Sequence, residues 1–507
     1  MKVFANYRQL FAGLILAVVS WAVYAPAIHR VFVTDQIWYI AELDGQTSLK
    51  AGLHFYDYAA SRRYWKGDDA LFRPLSLTWL AVGNSLFSYH HAWWNVANIA
   101  LHVLVAFSLY SLLMTVHASS IALPAAVLFT VMKPPLELVI WNHLGGYLLA
   151  CLFLAVALRS FVEILRRPSE KRLRRCTVVY AVAFTAAAFC HEAMVPVCLI
   201  AGLLILWSEW RGQKRVTMKR AIVLFSPVLV FSFLYSFHIR RVERIFYVDR
   251  PDVSGMFDPR NVVAVIPRTL SVLRRWISEI MFPAALNFGV APFTRFAKSF
   301  TFSGQSPAHV FDAFLCLMAV GLLTYSLSRK HVSQMIPFIA LLCGACLAYI
   351  AVICLGRGQA DVMSTTYYLY FFCFVSVVLA YAIVDFERLR GLVPAVWFVL
   401  VAMILVHATE TSATTRAVGR VNEKPSAYLT AIGAFVASHK AESGFTFAVD
   451  GAPMDLDPEI PLIEGYPDNP RAAVRSPRLT EILFARYYNR QNPRYIINQE
   501  GLTSRLP

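Results

Sequence analysis

Carboxylates, imidazoles and a few cations recur at the ends of the apolar runs of this chain. Asp35 follows the first run, Leu10 to Ile28, within Thr34-Asp35-Gln36. Asp68-Asp69 and Phe72-Arg73-Pro74-Leu75 lie midway to the next run, which opens with His90-His91-Ala92-Trp93-Trp94-Asn95. Lys133-Pro134-Pro135, Glu137 and Trp141-Asn142-His143 separate the third and fourth runs. His191-Glu192 separates the fifth from the sixth, and Arg357 to Asp361 the ninth from the tenth. Any one of these residues alone reads as a solvated interfacial group. An ionisable group at a helix end facing a bundle interior is costly unless it is used, so the recurring set reads as a site. A carboxylate placed where the first helix leaves the bilayer, as Asp35 is, stands poised for chemistry at the water–lipid boundary.

The elements that must position this set are membrane helices. Hydrophobic residues make up 58% of the 507-residue chain and charged residues only 15%, against roughly 25% charged in soluble domains. With a mean hydropathy of +0.53, the class is polytopic membrane protein, and length does not convert into a count of soluble domains. Apolar runs fall around 10–31, 93–115, 119–133, 141–163, 177–190, 194–209, 221–239, 308–328, 335–355, 366–386 and 391–408, which predicts about 11 transmembrane helices. Lys2 and Arg8 before an apolar stretch ending in Ala25-Pro26-Ala27 imitate a signal peptide. The stretch is long enough to span, and it reads as a retained first helix.

Orientation follows from the short loops. Basic clusters at Arg166 to Arg175, Arg211 to Arg220, Arg329-Lys330 and Arg388 with Arg390 are separated by even numbers of runs. They share a side with Lys2 and Arg8, and by the charge rule that side is the cytoplasm. The same parity explains the net charge of +16 without nucleic acid as a partner. It places outside the loops 32–92 and 240–306, the Lys133–Trp141, His191-Glu192 and Arg357–Thr365 turns, and the C-terminal tail.

Two segments and the cysteines complete the reading. The 240–306 loop carries nine arginines, among them Arg240, Arg260 and Arg274. It reads either as an amphipathic surface helix around 261–282 or as arginines gathered around an anionic phospholipid-like substrate, and the two are compatible. The division expected is 1–408 as the membrane module and 409–507 as a small external α/β appendage. That appendage has helices near 426–440 and 477–488 and strands at 445–449 and 495–497. The nine cysteines all fall in or beside apolar runs, which argues against disulfides. Cys343 and Cys346 read as packing residues on a helix.

The order of the polar elements resembles membrane glycosyltransferases of the GT-C type. The first helix, Thr34-Asp35-Gln36, Phe72-Arg73-Pro74-Leu75 and His91…Asn95…Asn98…His102 are similar to the protein O-mannosyltransferase branch, including the membrane half of its tetratricopeptide-bearing members. In that branch the next external turn reads His-Pro, Glu, Trp; here stand Lys133-Pro134, Glu137 and Trp141. His191-Glu192 occupies the place of a Lys-Glu pair, and Asp361 with Thr366-Tyr367-Tyr368-Leu369-Tyr370 that of a late Arg-Tyr turn. The likeness covers roughly residues 5–210, and 350–385 more loosely. The tail has no tetratricopeptide pattern. Many members carry two adjacent acidic residues where this chain has Asp35-Gln36. With His191 in place of lysine, phosphate binding there would depend on pH.

The resemblance implies an all-α, GT-C-like polytopic fold. It also implies transfer of a sugar from a polyprenyl-phosphate donor to a glycan, lipid or protein acceptor on the external face, with inversion at the anomeric carbon. Asp35 is then the general base on the acceptor hydroxyl. Arg73, Lys133, His191 and Arg357 bind the departing lipid phosphate. Glu137, Glu192, His91 and Asn142 orient sugar or loops, and no metal or other cofactor is obligatory. The home implied is a bacterial inner membrane, with the N-terminus cytoplasmic and the C-terminus periplasmic. An O-antigen-type polymerase or ligase shares the basic external loop. A flippase of polyprenyl-linked glycans would place its ionisable groups nearer the bilayer midplane.

Overall fold

A computed structural model describes residues 2–30, 72–132, 134–140, 144–166, 169–211, 217–246, 307–326, 329–356, 369–449, 487, 489, 491–497 and 503–505. The architecture is all-α and polytopic. Among the described residues, seven helices are long and apolar enough to cross a membrane, and shorter apolar helices accompany them at 122–131, 317–326, 335–350 and 369–383. Together these account for the eleven apolar runs of the sequence.

Helix α1 (Lys2–Tyr24) ends at Ala25-Pro26-Ala27, where the chain tightens into one 3₁₀ turn. The next described element is a finding that the sequence pattern missed. Helix α2 (Pro74–Phe87) lies inside the stretch expected to be loop 32–92. Its fourteen residues reach about 21 Å at 1.5 Å each, short of the roughly 30 Å bilayer core, so a search for spanning runs passes over it. Pro74 occupies its first turn, where a missing N–H is tolerated. Helix α3 (His91–Val116) follows after a tight corner. There Trp94 is fully buried and donates from Nε1 to the Ser88 carbonyl at 2.9 Å. A Cβ at Gly83 would stand 2.3 Å from the Trp94 ring, so only glycine allows that approach.

Helix α4 (Ala122–Val131) has only ten residues, and α5 (Pro135–Ile140) six. A hairpin of α6 (Gly145–Leu165) and α7 (Glu170–Cys190) forms the centre of the bundle, with α8 (Met194–Arg211) and α9 (Met218–Phe246) beside it. Helices α10 (Pro307–Ser326), α11 (Arg329–Gly356) and α12 (Leu369–Ile383) complete it. The cysteines whose side chains are described, seven of the nine, are free thiols, and Cys343 is exposed while Cys346 is buried.

Helix α13 (Val393–His439) runs through 47 residues without a break. The boundary expected at 408/409 falls inside it. Thr411 and Thr415, beyond that boundary, donate to the carbonyls of Val131 and Val23 at 2.8 and 2.7 Å. Gly419 lies so close to α1's end that a Cβ would meet the Pro26 carbonyl at 2.0 Å. The expected strands appear as β1 (Phe447–Val449) and β2 (Tyr495–Ile497), paired in parallel, with β3 (Thr503–Arg505) antiparallel to β2. Phe435 of α13 packs on Phe445, two residues before β1, and on Tyr495 of β2. The expected helix near 477–488 lies almost wholly outside the described residues, as does the expected helix around 261–282.

Short helices ending inside an apolar bundle leave carbonyls that water cannot reach. At α4 these are Thr130, Val131 and Met132, each buried. The Tyr24 hydroxyl lies 2.9 Å from the Thr130 carbonyl and 3.2 Å from that of Met132, and His102 Nε2 is 3.2 Å from Thr130. Replacing Tyr24 by Phe keeps the ring and removes the donor. Its thermal unfolding in detergent should show a loss of about 1–3 kcal/mol, the cost of an unsatisfied buried polar group. Tyr7→Phe, at an exposed site on the same helix, should be neutral.

Candidate active site

One face of α3 carries His91, Asn95, Asn98 and His102, at spacings of four, three and four residues. All four are buried. Asn95 donates from Nδ2 to the carbonyls of Ile28 and Arg30 at 2.7 and 2.9 Å, holding the chain as it leaves α1 five residues before Asp35. Asn98 donates from Nδ2 to the Leu138 carbonyl at 3.0 Å, holding α5 next to Glu137. His102 bridges Thr130 and the Tyr370 hydroxyl at the start of α12, with Nδ1 3.0 Å from that hydroxyl. The Nε2 contact to a carbonyl requires a proton there, so Nδ1 accepts from Tyr370. The polar stripe thus ties together the ends of the elements that lead into the candidate residues.

A second junction forms where α2 meets the turn between α7 and α8. Arg73, the residue preceding α2, donates from Nε to Glu192 Oε2 at 2.7 Å and from Nη2 to Oε1 at 2.6 Å. This is the fork-on-fork geometry of the strongest guanidinium–carboxylate pairs. Both side chains are partly buried. The Arg73 guanidinium also stands 5.7 Å from the centre of the Tyr147 ring, within cation–π range. Tyr147 in turn lies 4.5 Å from the His191 ring, centre to centre. His191 ends α7 and is buried; its Nδ1 accepts the Ala193 N–H at 3.2 Å, which places the neutral ring's proton on Nε2.

Small residues allow this junction. Ser76 on α2 donates to the Cys190 carbonyl at 2.7 Å, fastening α2 to the last turn of α7. A Cβ at Gly146 would fall 1.9 Å from Ser76 Oγ, and one at Gly145 would fall 2.3 Å from Trp79 Nε1. The Gly145-Gly146 pair at the start of α6 is the sequence feature, not drawn on above, that could have pointed to this close approach. Nothing in the sequence marked Ser76 or Tyr147.

Of the expected site residues, Arg73, His191 and Glu192 come together. Arg73 and Glu192, assigned separate roles on phosphate and substrate, form one ion pair. His91 belongs to the α3 stripe. Glu137 lies on α5. Asp35, Lys133, Asn142 and Arg357 lie outside the described residues. Among the described residues no group of three or more His, Cys, Asp or Glu stands close enough to hold a metal.

Burial pushes the Glu192 carboxyl up, yet the Arg73 charge, the nearby His191 and the Arg73 hydrogen bonds outweigh it and hold it well below the usual carboxylate range. A lowered folded-state pKa means that the ionised pair contributes stability above the unfolded value of about 4.3. That contribution is lost as pH falls through the lower folded value. Arg73→Gln and Glu192→Gln should each destabilise, while the double variant recovers part of the loss. A double-mutant cycle at neutral pH should return a coupling of about 1.5–3 kcal/mol, still present at pH 5 and vanishing only in stronger acid.

No protein-family model matches the chain, and no curated protein matches it in sequence. Among solved structures it is similar to the archaeal oligosaccharyltransferase AglB from Archaeoglobus fulgidus in complex with an inhibitory peptide and a dolichol-phosphate. The TM-score is 0.40 at 14% identity, over 82% of this chain and 56% of that one. The apo form of the Archaeoglobus fulgidus oligosaccharyltransferase gives 0.40 at 13% identity, over 89% and 63%. The chain therefore spans under two thirds of the length of these two structures. ArnT from Cupriavidus metallidurans bound to undecaprenyl phosphate gives 0.38 at 13% identity, over 87% and 82%.

Proposed function

We propose that this chain is a GT-C-type membrane glycosyltransferase that takes a sugar from a polyprenyl-phosphate donor. The observation that carries the reading is the Arg73–Glu192 pair with His191 at the end of the bundle, beside helix ends held by the α3 stripe. The order of motifs shared with the O-mannosyltransferase branch supports it. A monophosphate leaving group needs cations where its charge develops. Arg73, fixed in direction by Glu192, is one, Lys133 and Arg357 are the others assigned, and His191 joins them as a donor through its Nε2–H. Glu137, His91 and Asn142 orient substrate or loops.

Asp35 is the base. It takes the proton of the acceptor hydroxyl as that oxygen forms its bond to the anomeric carbon. The anomeric carbon–oxygen bond to phosphate breaks, and the electron pair leaves on the polyprenyl phosphate. Configuration inverts, and the balance needs no redox partner or metal. Asn95 bears on this step through the chain end before Asp35, which it grips by two carbonyls. The face on which this happens is the external, periplasmic one of a bacterial inner membrane.

The test compares purified wild type with Asp35→Asn, offered a panel of radiolabelled polyprenyl-phosphate sugars with a membrane extract as acceptor source. Release of polyprenyl phosphate by wild type should fall by about 10²–10⁴-fold in the variant, the usual worth of a general base. Equal turnover in both removes Asp35 from the mechanism. Binding of a diphosphate-linked glycan without turnover of any monophosphate donor replaces this reading with the polymerase or flippase one.

A further inference from the structure

The opposite end of the α6–α7 hairpin holds a second charged feature. A cavity of about 460 Å³ opens there, lined by Arg159, Ser160 and Glu163 of α6 and by Arg172, Arg175 and Cys176 of α7. Arg159 is twelve residues from Tyr147 along α6, about 18 Å at 1.5 Å per residue, so the cavity lies well away from the Arg73–Glu192 junction. Three guanidiniums face one carboxylate, a local charge of +2 at the edge of an apolar bundle.

Two of those guanidiniums are held in place. Arg159 donates from Nη1 to Ser111 Oγ of α3 at 2.8 Å, and Arg172 pairs with Glu163 at 2.8 Å. Arg175 has no ion pair among the described residues. Apolar surface adjoins the cavity: Val156 and Val179 line its wall, and Val178 and Val182 on α7 are exposed. A ligand that fits must place a compact anion among arginines and continue as hydrocarbon along α7.

We propose that this cavity binds the phosphate headgroup of an anionic phospholipid, whose acyl chains lie along the exposed valines of α7. Basic pockets between membrane helices recognise such headgroups by charge and by the guanidinium fork. The site is separate from the proposed sugar-transfer site, and it stands or falls without it.

Native mass spectrometry of the full chain in detergent, titrated with dioleoylphosphatidylglycerol or dioleoylphosphatidylcholine, tests this. Wild type should retain the glycerol lipid in preference to the choline lipid. Arg159→Gln with Arg175→Gln should weaken retention of phosphatidylglycerol by about fivefold for each charge removed and leave phosphatidylcholine unchanged. Glu163→Gln removes the opposing carboxylate and should strengthen retention, a gain that poor folding cannot imitate. Equal retention of the two lipids by wild type, or an unchanged preference in the double variant, overturns the proposal. Displacement of phosphatidylglycerol by millimolar inorganic phosphate also overturns it, since the cavity would then be a site for free phosphate.

Discussion

The structure depends on donors for backbone carbonyls at helix ends that stop inside an apolar bundle. Helix α4 has only ten residues, about 15 Å, and its last carbonyls lie buried among neighbouring helices, out of reach of water. Tyr24 from α1, His102 from α3 and Thr411 from α13 supply the missing donors. The end of α1 is served in the same way by Asn95 and Thr415. Because each donor comes from a different helix, satisfying these carbonyls also fixes how α1, α3, α4 and α13 stand against one another.

That arrangement has a functional consequence. Two of the places where the chain leaves regular helix beside the candidate residues, after α1 and around α5, are gripped by neighbours on α3. A group delivered from an irregular segment is only as well placed as the anchor behind it. The α3 stripe supplies such anchors from one rigid helix, at a spacing that keeps all four side chains on a single face.

The Arg73–Glu192 pair solves a different problem. A half-buried ion pair adds little net stability by itself, since desolvation offsets much of the attraction. Its bidentate form does fix one orientation of α2 against the α7–α8 turn. Tyr147 and the glycines of α6 complete that fit. The arginines at the other end of the hairpin are exposed, Arg159 and Arg172 are held while Arg175 has no ion pair among the described residues, and they bound a cavity rather than a closed junction.

The sequence by itself determined the class and the count of apolar runs, because hydropathy summed over a spanning length needs no tertiary information. It also placed His91, Asn95, Asn98 and His102 in one ordered motif, and His191 and Glu192 at the ends of apolar runs, while Arg73 stayed in the loop 32–92. It passed over α2, whose fourteen residues fall short of a span. It also divided α13 at 408/409, where hydropathy changes but the backbone ladder does not. Only the tertiary structure decided that Arg73 and Glu192, 119 residues apart, form one pair. It alone decided that the asparagines of α3 serve carbonyls of α1 and α5. A polar side chain in an apolar helix announces that it needs a partner, but a carbonyl left open by a helix end has no residue type of its own. Which carbonyl each donor meets is settled only when the helices pack.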